Sequence, residues 1–196
     1  MKRFTGLFIG IGIVLILFFW GCSSYNGLVS TDQGVKKKWS DVETNYQRRT
    51  DLYSSVIKTI EASANFEKTT LTDVIAARSK ATAITVDIND PKSLEAYQNA
   101  QAQLQGSFSR LMAVAEAYPD LKTTKSFQDF QAQIEGTENR INVARRDYNQ
   151  AVEDYNLSVK RFPRSIFASL FGFKEKAYYK ADPGSEKAPD VNFNIK

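Results

Sequence analysis

The 196-residue chain contains no histidine. That removes the one side chain whose charge changes near neutral pH, and with it the commonest metal ligand and general base. A single cysteine, Cys22, excludes an intrachain disulfide and any cysteine cluster for zinc or iron–sulfur. With neither a histidine nor a second cysteine, no nucleophile–base arrangement is in view, and no motif supports serine–lysine chemistry. No catalytic residue, cofactor or metal site is therefore expected. Only 5 prolines and 10 glycines interrupt the chain, and nowhere do apolar and polar residues alternate as in a half-buried strand, so long helices are expected. Charge of one sign is scarce too. The formal net charge is +4, and setting aside Lys2 and Arg3 leaves 24 basic against 22 acidic residues, too even a balance for a nucleic-acid partner.

What the sequence does have begins at its N-terminus. Lys2 and Arg3 precede Phe4 to Gly21, 18 residues without a charge, the lower end of the length that crosses a bilayer as a helix. Residues 1–24 read as a membrane anchor, and the lipid bilayer is the first partner expected. Cys22, between Gly21 and Ser23-Ser24, also fits a lipidated cysteine followed by a polar tether, although Phe19 and Trp20 are bulky for that signal. Both the uncleaved helix and the lipoprotein stay open. The basic residues ahead of the run are expected to leave the N-terminus in the cytoplasm and the domain on the outer side of the plasma membrane. Lys36, Lys37 and Lys38 make a cytoplasmic domain the alternative.

Past the anchor, apolar residues recur at steps of three and four. Val35, Trp39, Val42, Tyr46, Arg49, Tyr53, Val56 and Ile60 form one stripe, as in a helix packed in a bundle or coiled coil. A second helix is expected from Thr70, where Thr70 and Asp73 have capping-box spacing, to before Asn89. Asp90 and Pro91 open a third, with Leu94, Tyr97, Gln101, Leu104, Phe108, Leu111, Ala115 and Tyr118 along it. Ser126 caps a fourth, which carries Phe127, Phe130, Ile134, Thr137, Ile141, Ala144, Tyr148, Ala151, Tyr155 and Phe162 before Pro163. The fold class is all-α: a membrane helix, then a long antiparallel bundle of four helices over residues 25–173. Residues 174–196 read as a flexible tail.

A few residues stand out. Arg49 is the charged interruption of the first stripe, and its stem is expected to lie along the seam with its head on an acidic partner or water. Tyr148-Asn149 and Tyr155-Asn156 repeat seven residues apart, and Asn149 and Asn156 are expected to fix register across helices. Glu116, Asp120, Glu135 and Glu138 are the nearest to a carboxylate metal site, but without histidine they read as solvated faces. Arg140, Arg145, Arg146, Lys160, Arg161 and Arg164 read as part of a mixed-charge face. Between Arg164 and Lys174, Ile166, Phe167, Leu170 and Phe171 share a helical face that either caps the bundle or lies on the membrane surface.

Several stretches resemble the bacterial LemA family: Tyr25-Asn26-Gly27-Leu28-Val29, Trp39-Ser40-Asp41-Val42, Arg48-Arg49-Thr50-Asp51-Leu52, and Ala77-Arg78. The long runs from Leu111 to Phe127 and from Thr137 to Asn156, with Phe162-Pro163 after them, are the most specific. The chain departs from the family at Tyr53-Ser54, where Ile-Pro is usual, and this leaves the first helix unbroken. The resemblance implies a membrane-anchored helical protein without assigned catalytic residues or cofactor. The expected role is an envelope scaffold that recruits other envelope proteins through its exposed faces, with a ligand- or lipid-sensing module as the alternative. A filled core favours the scaffold, and a void lined by Arg49 and Glu116 favours the module.

Overall fold

The computed structural model describes residues 2–61, 67–118 and 124–181, with side chains from Gly10 on. Among these residues the chain is all-α, with five helices: α1 (Lys2–Glu61), α2 (Lys68–Ala83), α3 (Pro91–Ala115), α4 (Lys125–Lys160) and α5 (Arg164–Leu170). No proline occurs before Pro91, and α1 runs for 60 residues, about 90 Å at the helical rise. After Cys22, where the lipoprotein alternative called for a polar tether, the chain is continuous helix. Ser24 and Leu28 are already buried, so the bundle begins where the apolar run stops.

Large apolar side chains from Ile11 to Trp20 are all exposed, and α1 contains a window long and apolar enough to cross a membrane. In water such a surface would be an aggregation hazard, whereas in lipid it is satisfied.

Beyond it, α1 leads away from the anchor, α2 returns, α3 leads away and α4 returns. The core records this order in two clusters. The distal one joins Val56 and Ile60 of α1 to Val74 of α2, Leu104 and Leu111 of α3 and Phe127 of α4. The anchor-side cluster joins Val35, Trp39 and Tyr46 to Leu94 and Tyr97 of α3 and to Ile141, Tyr148 and Tyr155 of α4. Backbones approach most closely between α1 and α4 and between α2 and α3. Aromatic rings span the gap between these pairs: Tyr97 lies 5.7 Å from Trp39 and 5.5 Å from Tyr46, and Tyr53 stacks on Phe108 at 3.6 Å.

Each seam position expected on α1 from Val35 to Ile60 is buried, as are those on α3 from Leu94 to Ala115. The helix ends differ more. Glu67, not Thr70, is the N-cap of α2, and it makes no side-chain cap bond. Thr70 and Asp73 lie inside the helix. α2 stops at Ala83, because Ile84-Thr85-Val86 is a β-branched run that continues as extended chain, with Ile84 and Val86 packed on the anchor-side cluster. Asp90 caps α3 as expected, accepting from Lys92 N, with Pro91 following. Thr124 rather than Ser126 caps α4, its hydroxyl accepting from Phe127 N at 3.3 Å. The fourth stripe fails at its last member, since Phe162 lies past the end of α4 and is 80% exposed.

Leu104 is fully buried in the distal cluster. Leu104→Ala should cost about 2–5 kcal/mol by leaving a cavity, read as a lowered urea midpoint of the full chain in detergent. The exposed neighbour Asn99→Ala should stay within about 0.5 kcal/mol, and equal effects at the two sites would contradict this packing.

Candidate interaction site: a buried arginine and a docked chain segment

Arg49 sits between the two apolar clusters with none of its side chain exposed. One guanidinium nitrogen donates to Glu138 Oε1 of α4 at 3.2 Å. The other donates to the Gln101 side chain of α3 at 2.6 Å and to its backbone carbonyl at 3.3 Å. The ring of Tyr46 lies 4.7 Å and that of Tyr53 5.7 Å from the cation. Among the described residues its Nε has no hydrogen-bond partner. Burial raises the Tyr53 hydroxyl well above the ordinary tyrosine range, so at neutral pH it is an O–H that can donate toward Glu138.

The second feature was not legible as such. Residues 173–181 form neither helix nor strand, yet 174–181 are not a loose tail: they lie along α4 in extended form, bound by the two Tyr-Asn pairs. Asn149 donates to Tyr179 O at 2.9 Å and accepts from Tyr179 N at 2.7 Å. Asn156 does the same with Lys176, at 3.0 and 2.9 Å. Tyr148 donates to Ala177 O and Tyr155 to Lys174 O. The amides expected to fix helix–helix register therefore hold an extended strap instead. Geometry explains why. Seven helical residues rise about 10.5 Å and three extended residues span about 10 Å, so a heptad on α4 matches every third residue of an antiparallel strap. Such a site reads backbone, and an amide side chain is suited to it because it offers one donor and one acceptor.

Side chains lock the register. Lys176, 4% exposed, donates to Asp32 of α1 at 2.8 Å and to Asn89 of the α2–α3 connection at 2.7 Å, with the Tyr155 ring 5.0 Å away. Tyr179 shares a 2.5 Å hydrogen bond with Tyr46. Arg145 donates to the same Tyr46 hydroxyl at 2.9 Å through Nε and packs over the Tyr179 ring at 4.5 Å. Arg145 is thus part of the site and not of a solvated face. Burial opposes ionisation of Asp32, but hydrogen bonds from Lys176 and then Lys36 outweigh it and hold the carboxyl below its usual range. Burial raises Tyr148 far above the ordinary tyrosine value, and burial followed by the charge of Asp32 pushes Tyr155 up to about 12. Asp32, Lys176 and Tyr179 escaped the sequence reading. The only signal pointing to them was the Tyr-Asn repeat itself.

The remaining candidates are dispersed. Glu116, Glu135 and Glu138 line one open groove of about 410 Å³ with Tyr53 and Met112, but among the described residues no group of three or more His, Cys, Asp or Glu could hold a metal. Asp120 lies outside the described residues. Arg49 does not line that groove. Cys22 is exposed as a free thiol on α1. On α5, Phe167 packs edge-on against Trp20 at 5.5 Å and Phe171 against Tyr25 at 4.9 Å, while Ile166 and Leu170 remain exposed.

An apolar helix that continues into an antiparallel bundle, closed by a strap and an internal arginine layer, defines a membrane-associated helical protein. Residues 38–193 match the model of the LemA family, and the chain belongs to that family. It is similar to Magnetosome protein MamQ 1 and Magnetosome protein MamQ 2 of Paramagnetospirillum magneticum, 24% identical to each in an alignment 181 residues long that covers 83% of this chain. It is also similar to Magnetosome protein MamQ of Magnetospirillum gryphiswaldense, at 22% over the same extent. The alignment spans 66% of the length of each relative.

Replacing both ladder amides, Asn149→Ala with Asn156→Ala, strands an N–H and a carbonyl at Lys176 and at Tyr179. A lost partner of this kind costs about 1–3 kcal/mol per buried group. Amide hydrogen exchange at Lys176 and Tyr179 should accelerate while that of Leu104 is unchanged, and unchanged exchange at both strap amides would refute the ladder.

The strap should also answer to pH at both extremes. The lowered Asp32 contributes stability present above its ordinary 3.8 and lost as pH falls through the lower folded value. The raised Tyr155 contributes stability present below its ordinary 10.0 and lost as pH rises through about 12. Strap-amide protection, the intrinsic exchange rate divided by the observed one at each pH, should be greatest between these limits and fall beyond each.

Proposed function

We propose that the chain is a non-catalytic scaffold of the bacterial cell envelope, anchored by α1, with its bundle on the outer side of the plasma membrane and its faces presented to other envelope proteins. The observation that carries this reading is the continuity of α1 from the apolar run into the core. An anchor that is the same helix as the domain holds the bundle at a set height and bearing, which suits recruitment more than turnover. The space around Arg49 is filled by Gln101, Glu138, Tyr46 and Tyr53, which supports the scaffold over a module built around an internal ligand. Among the described residues, depressions on the bundle include open grooves, such as one of about 420 Å³ lined by Thr31, Asp154 and Arg164. Relatives named as magnetosome proteins fit work at a membrane. Lys2 and Arg3 ahead of the apolar run support the orientation, and the unbroken helix through Cys22 supports an uncleaved anchor.

Crosslinking in native membranes, followed by mass spectrometry, tests the role. A photoreactive residue at the exposed α4 position Val143 should capture a reproducible set of envelope proteins that a probe in the strap groove does not. Only intrachain products from every exposed face, or a stoichiometric small molecule retained by the purified chain, would defeat the scaffold reading.

A further inference from the structure

We infer that α5 and the residues before it form a second membrane contact, a foot lying in the lipid headgroup region beside the point where α1 leaves the bilayer. The inference rests on the membrane-anchor reading of α1. Phe162, Ile166 and Leu170 recur at intervals of four and are 80, 57 and 73% exposed. The spacing puts Ile166 and Leu170 on one side of α5, and Phe162 lies in the turn just before it, a concentration of large apolar groups that a soluble protein rarely leaves without a partner. The opposite side is used internally, since Ala168 is buried and Phe167 packs on Trp20. The segment therefore does not fold its apolar side chains inward as a cap. It divides them between the bundle and the outside.

Position decides what the outer set meets. The 18 uncharged residues from Phe4 to Gly21 span about 27 Å as helix, close to the hydrocarbon thickness of a bilayer. Trp20 stands at the end of that run, the depth at which tryptophan settles. α5 docks at that level, and two glycines make the close approach possible. A Cβ on Gly21 would fall 3.1 Å from the Phe167 ring, and one on Gly27 would fall 3.3 Å from the Arg164 guanidinium. Arg161, Arg164 and Lys174, all exposed, flank the apolar set with charge complementary to anionic headgroups. Lys160, by contrast, is held by Glu175 at 2.8 Å. Three apolar residues bind a bilayer weakly on their own. Here the membrane helix of the same chain supplies a high effective concentration, so a weak contact suffices.

The test uses the full chain carrying Cys22→Ser, reconstituted in vesicles of phosphatidylethanolamine and phosphatidylglycerol. An environment-sensitive fluorophore is attached in turn to Val14→Cys, Leu170→Cys and Ser126→Cys. Lipid-borne quenchers report depth, and aqueous iodide reports exposure to water. The expected pattern is strong lipid quenching at 14, severalfold more lipid quenching at 170 than at 126, and iodide quenching at 126 alone. Adding Ile166→Glu should return the 170 probe to iodide while leaving 14 quenched by lipid. A 170 probe as open to iodide as 126, with 14 still in lipid, overturns the foot and leaves the anchor standing. A 170 probe shielded from both quenchers means protein covers the face, and this also overturns it. A 14 probe reached by iodide overturns the anchor, and the foot with it.

Discussion

The Arg49 guanidinium lies where the α1–α4 pair meets the α2–α3 pair, a full charge buried between the helices. Removing a cation from water costs several kcal/mol, offset only where well-placed acceptors meet it, and here they meet both terminal nitrogens while Nε has none among the described residues. The acceptors come from both other long helices: Glu138 from α4 and Gln101 from α3. That requirement fixes the vertical register of three helices at once. Shifting α1 by one heptad would put Val42 or Val56 opposite Gln101 and Glu138, and Arg49 opposite Leu94 or Phe108. Each alternative strands the charge and the amide together, so slipped packings are disfavoured by far more than the apolar contacts could distinguish. Flanking clusters of aliphatic and aromatic side chains supply most of the cohesion. The arginine layer decides how they align.

The strap extends the same logic toward the membrane. Lys176 reaches α1 through Asp32 and the α2–α3 connection through Asn89 while its backbone is held by Asn156 of α4. Tyr179 does likewise, bonding Asn149 of α4 and Tyr46 of α1. A segment with no regular structure of its own thus ties the α2–α3 connection to the α1–α4 pair. Its fit depends on two commensurate lengths, a helical heptad and three extended residues, and a spacing other than seven between the Tyr-Asn pairs would break it.

Much of this was legible in the sequence because it depends on period alone. Steps of three and four along Val35–Ile60 and Leu94–Ala115 mark a buried face whatever the partner is. Helix ends were less legible, because several residues compete for one cap. Thr124 and Ser126 are both good N-cap residues, and only the chain path selects the first. Ile84-Thr85-Val86 is compatible with a helix stripe or with extended chain, and packing of Ile84 and Val86 on the core decides it. Asn149 and Asn156 were visible as a repeat, but an asparagine amide is equally able to meet a helix or a strand. Its actual partner lies 20 to 30 residues downstream, in a stretch where local composition carries no record of a contact. Arg145 was misassigned for a related reason: next to Arg146 and Asp147 it has the pattern of a solvated face, and only the return of Tyr179 covers it.

The anchor's continuity sets the character of the whole molecule. A domain tied to a membrane by a flexible linker samples a hemisphere of positions, and its surfaces meet partners at many heights. Here no linker separates the apolar run from Leu28, so the bundle keeps the bearing of the apolar helix. The distal cluster lies tens of residues farther along the same helix, at about 1.5 Å of height for each. Surfaces on α3 and α4 are consequently sorted by their distance along the rod from the apolar end of α1. The scaffold role proposed above would require stiffness, register and a fixed base. The unbroken α1, the arginine layer and the strap that ties Asp32 to Asn89 each supply one of these.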